Sequence, residues 1–402
     1  MVKILIIGGG ATGAGTARDL SIRGLDVTLV EKNTLGSGTS GKSHGLLHSG
    51  ARYAESDYRG AKECIEENKI LRDISGLCIR DTDGIFVQLE EDDADYFDEK
   101  KEACEEIGID THILDKREIK EKIPQLSDDV VRAMEVPDSV IYPSRLVALN
   151  AEDAEKHGAK IYTNTEVTDI ITSDNSIKSV TLEGAVNKTI SPDYVINCTG
   201  AWAENIGEIT DIDIKMAPSR GVMVAMDYKN VDVAVNRCRS PNDGDIIIPH
   251  ENQVVLGTTS NPVSKPENYE TDNEEIDICI EECSKMIPDI EESDIERVWW
   301  GVRPLYAPDE EGENRRQISR GFQLLDHDEL NNMLSVVGGK LTTYRKMAEE
   351  TSDYLCNELE IYESCQTDVE SLPYKNNEEK INEIVEKYGG YNDTDLNLIE
   401  RK

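Results

Sequence analysis

The stretch that decides the fold opens the chain: Ile4-Leu-Ile-Ile-Gly8-Gly9-Gly10-Ala-Thr-Gly13. Its apolar run is typical of a buried parallel strand. Gly8, Gly10 and Gly13 match G-x-G-x-x-G, a pattern that needs a tight turn, bare backbone beside a pyrophosphate and close helix packing. We expect the next helix to run from about Ala11 to Arg23, with its N-terminal N–H groups directed at that pyrophosphate. This start predicts a dinucleotide-binding βαβ unit rather than an ordinary glycine turn.

A second strand, Val27-Thr-Leu-Val-Glu31, follows at the spacing of that unit. Glu31 comes where a carboxylate can accept hydrogen bonds from both hydroxyls of the adenosine ribose and can repel a 2′-phosphate. Lys32 is the next residue along the strand, so its side chain is expected to point away from the ribose. The pair of strands therefore predicts a dinucleotide without a 2′-phosphate.

The composition is strongly acidic. The chain has 402 residues, enough for two domains, and carries 81 acidic against 43 basic side chains for a formal net charge of −38. Such a field repels nucleic acid and anionic lipid, so we expect neither as a partner. It is typical of a protein kept soluble in a salt-rich cytoplasm. An anionic substrate therefore needs a local cationic pocket.

Nine cysteines occur without a C-x-x-C pair, which indicates reduced thiols in a cytosolic protein. Cys279 and Cys283 lie four residues apart, but no matching His or Cys pair accompanies them, so we expect buried or half-buried thiols and no metal. The sequence shows neither a secretory signal nor a run of about 20 apolar residues. We expect a cytoplasmic chain without a membrane span.

The cofactor domain is predicted to be discontinuous. The apolar strands Tyr194–Asn197 and Leu334–Val337 lead into small-residue turns as the first strand does, whereas the middle of the chain reads as β-rich and is assigned to the substrate. Beyond Ser371 the chain is polar and no further core is expected. The predicted division is 1–80, 144–212 and 330–370 for the cofactor domain, 81–143 and 213–329 for the substrate domain, and 371–402 for a short extension.

Four segments together resemble a known family: Gly8 to Gly15, Ser43-His-Gly-Leu-Leu-His-Ser-Gly-Ala-Arg-Tyr53, Gly301-Val-Arg-Pro-Leu305 and Gly338-Gly-Lys-Leu-Thr-Thr-Tyr-Arg345. They are similar to the FAD-dependent glycerol-3-phosphate dehydrogenases, and most of all to the catalytic subunit of the anaerobic, multi-subunit type. The likeness spans roughly residues 1–370. It implies an α/β fold in which a Rossmann-like FAD-binding domain is joined to a β-rich α+β substrate domain, as in D-amino-acid oxidase.

The resemblance also implies a reaction: sn-glycerol 3-phosphate is oxidised to dihydroxyacetone phosphate by hydride transfer to FAD, and the electrons pass to a partner subunit or a quinone. Catalytic subunits of this type continue into a C-terminal cysteine-bearing domain that resembles a [2Fe–2S] module. Those cysteines are not found in this sequence. We therefore expect the electrons to leave through a separate subunit or carrier, which would also mediate any peripheral attachment to a membrane.

Basic side chains are the expected ligands of the substrate phosphate. The resemblance implies that Arg303 and Arg320 grip the phosphate, with Arg239 on the substrate side. It places Arg52, Tyr53 and Lys340 against the glycerol hydroxyls or the forming ketone. For the base that takes the hydroxyl proton we favour His48, with His44 as the rival, because an imidazole titrates near neutral pH.

The predicted flavin contacts include a helix opened by the Gly338–Thr342 segment, whose N-terminus stabilises negative charge on the reduced ring. The expected cofactor-binding residues are Gly8, Gly10, Ala11, Thr12, Gly13, Glu31, Lys32, Thr39, Ser40, Ser43, His44, Gly45, Leu46, Val167, Thr199, Gly200, Trp202, Gly338, Gly339, Lys340, Leu341 and Thr342.

Two alternatives stay open. One is an FAD enzyme of the same fold that oxidises an amino acid or a 2-hydroxy acid; such a carboxylate substrate usually needs one arginine clamp, whereas this chain offers several basic positions. The other is a flavin-binding subunit that has lost catalysis, for which broken substrate motifs would be the mark.

Overall fold

The computed structural model describes residues 2–307 and 321–389. Nine α-helices lie in this part of the chain: α1 (Ala11–Ile22), α2 (Tyr58–Ser75), α3 (Ala94–Ile107), α4 (Lys116–Lys122), α5 (Pro143–Lys156), α6 (Ala203–Thr210), α7 (Glu274–Ser284), α8 (Tyr344–Glu358) and α9 (Glu378–Lys387). The strands of the same residues are β1 (Lys3–Ile7), β2 (Asp26–Val30), β3 (Leu46–Leu47), β4 (Ile79–Asp81), β5 (Gly84–Leu89), β6 (His112–Leu114), β7 (Val130–Val136), β8 (Ser139–Ile141), β9 (Lys160–Tyr162), β10 (Thr165–Ser173), β11 (Ser176–Gly184), β12 (Lys188–Ile190), β13 (Tyr194–Asn197), β14 (Ser219–Met226), β15 (Ala234–Arg237), β16 (Ile246–His250), β17 (Gln253–Gly257), β18 (Asn261–Pro262), β19 (Ile295–Arg303), β20 (Phe322–Asp326) and β21 (Met333–Gly338).

A six-stranded sheet in the order β20-β21-β13-β1-β2-β9 carries the glycine motif. Its strands are parallel except β20, which pairs antiparallel with β21. The first strand lies in the interior of the sheet, and both of its faces are covered. Ile4 and Ile6 join the core made with the helices α1, α5 and α8. Leu5 and Ile7 join the core on the other side, made with β10, β11 and α6. A continuous apolar run is what such two-sided burial requires.

The β-rich part of the chain forms a sheet in the order β18-β14-β17-β16-β15-β5-β7-β6, with β19 paired to β14. Strands from the 84–136 and 219–303 stretches therefore join in one sheet. One face packs against α7, where Cys279 and Cys283 lie in a core with Val224 and Leu256. The other face, which includes Met223 and Ile246, turns toward the small sheet β3-β8-β4 and the cavities described below.

Two predictions about the end of the chain are wrong. The helix after β21 begins at Tyr344, because Gly338 and Gly339 have φ of 78° and 81° and cannot be helical. The 338–343 segment is thus a loop that leads to the N-terminus of α8. The expectation that no core follows Ser371 is also wrong, because α9 places Ile381, Ile384 and Val385 in the core shared with α5.

The prediction of buried or half-buried thiols is confirmed: eight cysteines are buried, and Cys365 is half-buried. Burial raises the pKa of Cys238 to about 12, so the thiol between Arg237 and Arg239 is not activated by its neighbours. Within residues 2–307 and 321–389, no helix combines the length and the apolar character needed to cross a membrane.

Candidate active site

The first cavity opens at the glycine motif and has a volume of about 370 Å³. Gly8 has φ of 106°, and a side chain there would put its Cβ 2.6 Å from the Cys198 carbonyl oxygen. A Cβ on Gly13 would lie 1.9 Å from the Gly8 carbonyl oxygen, so this glycine permits close packing of α1. Gly10, Ala11 and Thr12 line the cavity at the start of the helix. The backbone at the start of α1 is therefore left uncovered by side chains, as the glycine pattern predicted for a pyrophosphate site.

Glu31 lies in the same cavity, and its carboxylate is fixed by backbone donors. The N–H of Gly9 donates to Oε2 at 2.8 Å, and the N–H of Asn33 donates to Oε1 at 2.9 Å. A carboxylate has about four acceptor positions, so both oxygens can still accept ribose hydroxyls. Lys32 also lines the cavity, with its Nζ 5.7 Å from the centre of the Trp202 ring. The prediction that Lys32 points away is wrong because β2 ends at Val30 and strand alternation no longer applies.

The small-residue loop after β2 forms another wall. Ser40 accepts a hydrogen bond from the N–H of Ala11 at 2.9 Å, and Thr39 donates to the Val302 carbonyl at 2.7 Å. These contacts tie the loop to α1 on one side and to β19 on the other. The further lining residues predicted from the sequence are Ser43, His44, Leu46, Val167, Thr199, Gly200, Trp202, Gly338, Gly339, Lys340, Leu341 and Thr342.

A second cavity of about 620 Å³ adjoins the first and shares with it Thr39, Ser43, His44, His48, Tyr53 and Arg303. At this junction the His48 and Tyr53 rings lie 5.3 Å apart, and the Lys340 Nζ lies 4.9 Å from the centre of the Tyr53 ring. The backbone N–H of His48 donates to the Thr342 hydroxyl at 3.2 Å. The structure therefore brings His48, Tyr53 and Lys340 together, and Arg52, the fourth predicted catalytic side chain, lines the second cavity with His48 and Tyr53.

The two histidines at the junction differ. The Nδ1 atom of His44 accepts a hydrogen bond from the N–H of Leu46 at 3.1 Å, so the neutral ring carries its proton on Nε2. That tautomer donates a proton and has no second acceptor nitrogen. Behind it, His250 donates through Nε2 to the His44 carbonyl at 3.0 Å, and burial lowers the pKa of His250 to about 4. This geometry argues against His44 as a base.

Cationic side chains line the second cavity. Arg52 pairs through Nη2 with Asp245 at 2.6 Å; burial alone would lower the pKa of this guanidinium, but the Asp245 charge outweighs it and raises the pKa. Arg303 donates through Nη2 to the Thr258 hydroxyl at 3.1 Å and to the Thr259 carbonyl at 3.0 Å. Lys42 is a third cation in the lining. Asp57 is a carboxylate in the same lining, so three cations face one acidic side chain. The chain is acidic as a whole, but this cavity is locally basic.

Three predicted site residues line neither cavity, and a fourth lies outside the residues that the structure describes. Arg239 lines neither cavity and pairs with Glu282 at 2.9 Å. Gly13 and Gly45 do not line the cavities; Gly45 has φ of 81° and packs under the His250 ring. Arg320 lies outside the described residues.

Sequence reasoning missed several residues of the second cavity. Lys42 lies between the predicted contacts Ser40 and Ser43 but received no role, and no contact was predicted for Thr258 and Thr259. Ser240 and Asn242 follow Arg239 and line the cavity where Arg239 itself does not. The signal for these residues is proximity in the fold, which a single sequence does not show.

The residues of the first cavity fit FAD. The glycines leave room for a pyrophosphate beside bare backbone, Glu31 offers acceptors for a ribose, and the 338–342 loop meets the second cavity at His48 and Tyr53. A flavin ring at that junction would lie between the dinucleotide cradle and the basic cavity.

These features define the class of protein. Residues 3–345 match the family described as FAD dependent oxidoreductase, and the chain belongs to that family. It is similar to the anaerobic glycerol-3-phosphate dehydrogenase subunit A1 of Haloferax volcanii, with 46% identity over 403 residues that cover 96% of this chain and 69% of that protein. The predicted family resemblance and FAD as the cofactor are thereby confirmed.

Solved structures agree on the fold. A glycerol-3-phosphate dehydrogenase from Bacillus halodurans complexed with FAD has a TM-score of 0.69 at 24% identity, covering 92% of this chain and 67% of that one. Glycine oxidase from Geobacillus kaustophilus has a TM-score of 0.71 at 21% identity, covering 93% and 99%. The predicted fold class is confirmed. Because both proteins share it, the substrate must be argued from the site.

Proposed function

We propose that this chain oxidises sn-glycerol 3-phosphate to dihydroxyacetone phosphate as an FAD-dependent dehydrogenase. The observation that carries the proposal is the basic cavity, lined by Lys42, Arg52 and Arg303, which adjoins the FAD cavity in a chain of net charge −38. A doubly charged phosphate is held best by several cations. The 46% identity to a glycerol-3-phosphate dehydrogenase subunit supports the same substrate.

Arg303 is the proposed anchor of the phosphate. Its Nη2 is oriented by the Thr258 hydroxyl and the Thr259 carbonyl, so the guanidinium is held against the cavity wall before substrate arrives. Such orientation reduces the entropy lost on binding. We propose Arg320 as a further phosphate ligand. The predicted substrate contact of Arg239 is not retained in the proposal, because this side chain pairs with Glu282 and lines neither cavity.

His48 is the proposed general base, and Arg52, Tyr53 and Lys340 are the proposed contacts of the reacting oxygens. When bound, FAD supplies the hydride acceptor at its flavin N5. The imidazole of His48 takes the hydroxyl proton of C2 as that carbon loses its hydride. Lys340 lies over the Tyr53 ring, where its charge stabilises the oxygen as the ketone forms. The N-terminus of α8, which follows the 338–343 loop, adds favourable potential near the flavin.

We further propose that Glu31 binds the adenosine ribose and that the other cavity-lining residues named above hold the remainder of FAD. We propose the predicted division into cofactor and substrate domains with two changes. The strand β20, predicted for the substrate domain, pairs with β21 in the cofactor sheet, and the 371–389 segment packs on the cofactor domain. We place the chain in the cytoplasm and propose that the electrons pass to a separate subunit or a quinone. The subunit designation of the Haloferax volcanii relative supports an assembly of several chains.

The substrate test compares glycerol 3-phosphate with glycerol in an artificial dye assay. Replacing Arg303 by Ala is expected to raise the KM for glycerol 3-phosphate by about one to three orders of magnitude, the effect of losing a charge-assisted pair, while FAD content is retained. The matched control is Arg117→Ala, since the Arg117 side chain is 83% exposed on α4. If the parent protein oxidised glycerol as well as glycerol 3-phosphate, the phosphate pocket would be disproved.

A further inference from the structure

We propose that Lys42 is a phosphate-binding residue that determines the preference for a phosphorylated alcohol. The inference rests on the proposed function and adds to it a ligand on the cofactor loop. Lys42 lines the second cavity together with Arg52 and Arg303. It therefore belongs to the same wall of positive charge, although it comes from the loop that also encloses the cofactor.

The backbone of Lys42 is held firmly against the substrate sheet. Its carbonyl accepts a hydrogen bond from Nε1 of Trp299 at 3.2 Å, and its N–H donates to the Thr39 carbonyl at 3.2 Å. Gly301 allows this approach, since a Cβ there would lie 2.7 Å from the Lys42 carbonyl oxygen. The side chain thus starts from a fixed point beside the strand that ends at Arg303.

Lys42 differs from Arg52 in its ion pairing. Arg52 has Asp245 as its ion-pair partner, whereas no carboxylate of residues 2–307 and 321–389 lies within 4 Å of the Lys42 ammonium. Burial, with a smaller effect of the Arg297 charge, lowers the pKa of Lys42. A half-buried ammonium next to another cation is unfavourable by itself and is stabilised by an anion. A phosphate in the second cavity is the anion that the site as a whole would accept.

The position of Lys42 lets one loop contact both the cofactor and the substrate. Thr39 and Ser43, on either side of Lys42, line both cavities. The loop therefore contacts the cofactor through its hydroxyl residues and the substrate through its lysine. A substrate that lacks the phosphate would forgo the Lys42 contact without disturbing the cofactor loop.

The test measures phosphate affinity and turnover separately on FAD-loaded protein. Inorganic phosphate is titrated by calorimetry, and KM values are taken for glycerol 3-phosphate and glycerol. Lys42→Met should weaken phosphate binding and raise the KM for glycerol 3-phosphate, each by about 10- to 100-fold, with little change for glycerol. Lys42→Arg should retain most of the affinity. The control is Lys178→Met, an exposed lysine on β11.

Several outcomes would overturn the inference. The first is a phosphate affinity and KM within about twofold of the parent in Lys42→Met. The second is loss of FAD from both Lys42→Met and Lys42→Gln, which would assign the lysine to the cofactor alone. If instead the parent failed to oxidise glycerol 3-phosphate but bound phosphate through Lys42, the proposed function would fail and the anion site would stand.

Discussion

The ion pair between Arg52 and Asp245 is buried, and this burial sets how much stability should be lost when either residue is replaced. Asp245 is 1% exposed and Arg52 is 13% exposed, and their charged atoms lie 2.6 Å apart. The other Asp245 oxygen accepts the N–H of Asn242 at 3.1 Å, which fixes a loop of the second cavity. The carboxylate therefore supports both Arg52 and a cavity wall.

Replacing Asp245 by Asn preserves the shape and removes the charge. Breaking one partner of a buried ion pair costs about 3–5 kcal/mol, and we expect about 3 kcal/mol because the amide oxygen can still accept a hydrogen bond. Arg52→Met should cost a similar amount. In the double variant neither buried charge is left alone, so the loss should be smaller than the sum of the two, with a coupling of about 2 kcal/mol.

Urea unfolding at a fixed FAD concentration measures the free energies, since bound cofactor adds to apparent stability. The exposed pair Arg117–Glu121 on α4 is the control, with an expected coupling of about 0.5 kcal/mol or less. The kcat/KM for glycerol 3-phosphate should fall in Asp245→Asn as in Arg52→Met, because Arg52 loses its orientation. Additive free energies together with unchanged kcat/KM would refute the reasoning.

Three further predictions follow from other features. Glu31→Ala should weaken FAD retention by about 1–3 kcal/mol, because charge-assisted hydrogen bonds to the ribose are lost; unchanged FAD occupancy after dialysis would contradict it. The pKa of His250 falls from 6.5 to about 4 on folding, so the unfolded chain binds more protons between these two pH values. The contribution of His250 to the free energy of unfolding is therefore fully present above pH 6.5 and is lost as the pH falls toward 4. His250→Gln should reduce that decline in acid unfolding curves by about 3 kcal/mol, whereas parallel curves for the two proteins would argue against it. The net charge of −38 should make the thermal midpoint rise with added KCl, which a salt-independent midpoint would exclude.

Local sequence signals predicted the cofactor cradle well. The glycine pattern, the apolar strand before it and Glu31 act over a few neighbouring residues, so their physical requirements can be read along the chain. The direction of the Lys32 side chain was predicted wrongly, because the alternation of side chains along a strand does not show that β2 ends at Val30. Ile381, Ile384 and Val385 recur at helical spacing and pack in the core shared with α5. This spacing indicates a helix with a buried face, but the polar residues around it made the segment look like an extension without a core.

The substrate cavity depends on contacts that a single sequence does not reveal. Asp245 is 193 residues from Arg52, and Thr258 is 45 residues from Arg303. The strand β19 has a weak sequence signal, because its Val298-Trp299-Trp300 run shows no alternation of apolar and polar residues. Only the fold brings these residues to one wall of the second cavity. The roles of Arg52 and Arg303 in substrate binding were predicted from the family resemblance, because their spacing in the sequence does not indicate them.

Anaerobic mixing of the FAD-loaded protein with sn-glycerol 3-phosphate tests the central claim most directly, because reduction of the cofactor is the chemical step itself. We expect the phosphorylated alcohol to bleach the flavin absorbance at ~450 nm, and glycerol or an amino acid such as glycine to bleach it far more slowly. A flavin that glycerol 3-phosphate leaves oxidised, while dithionite reduces it, would contradict the proposed substrate and reaction.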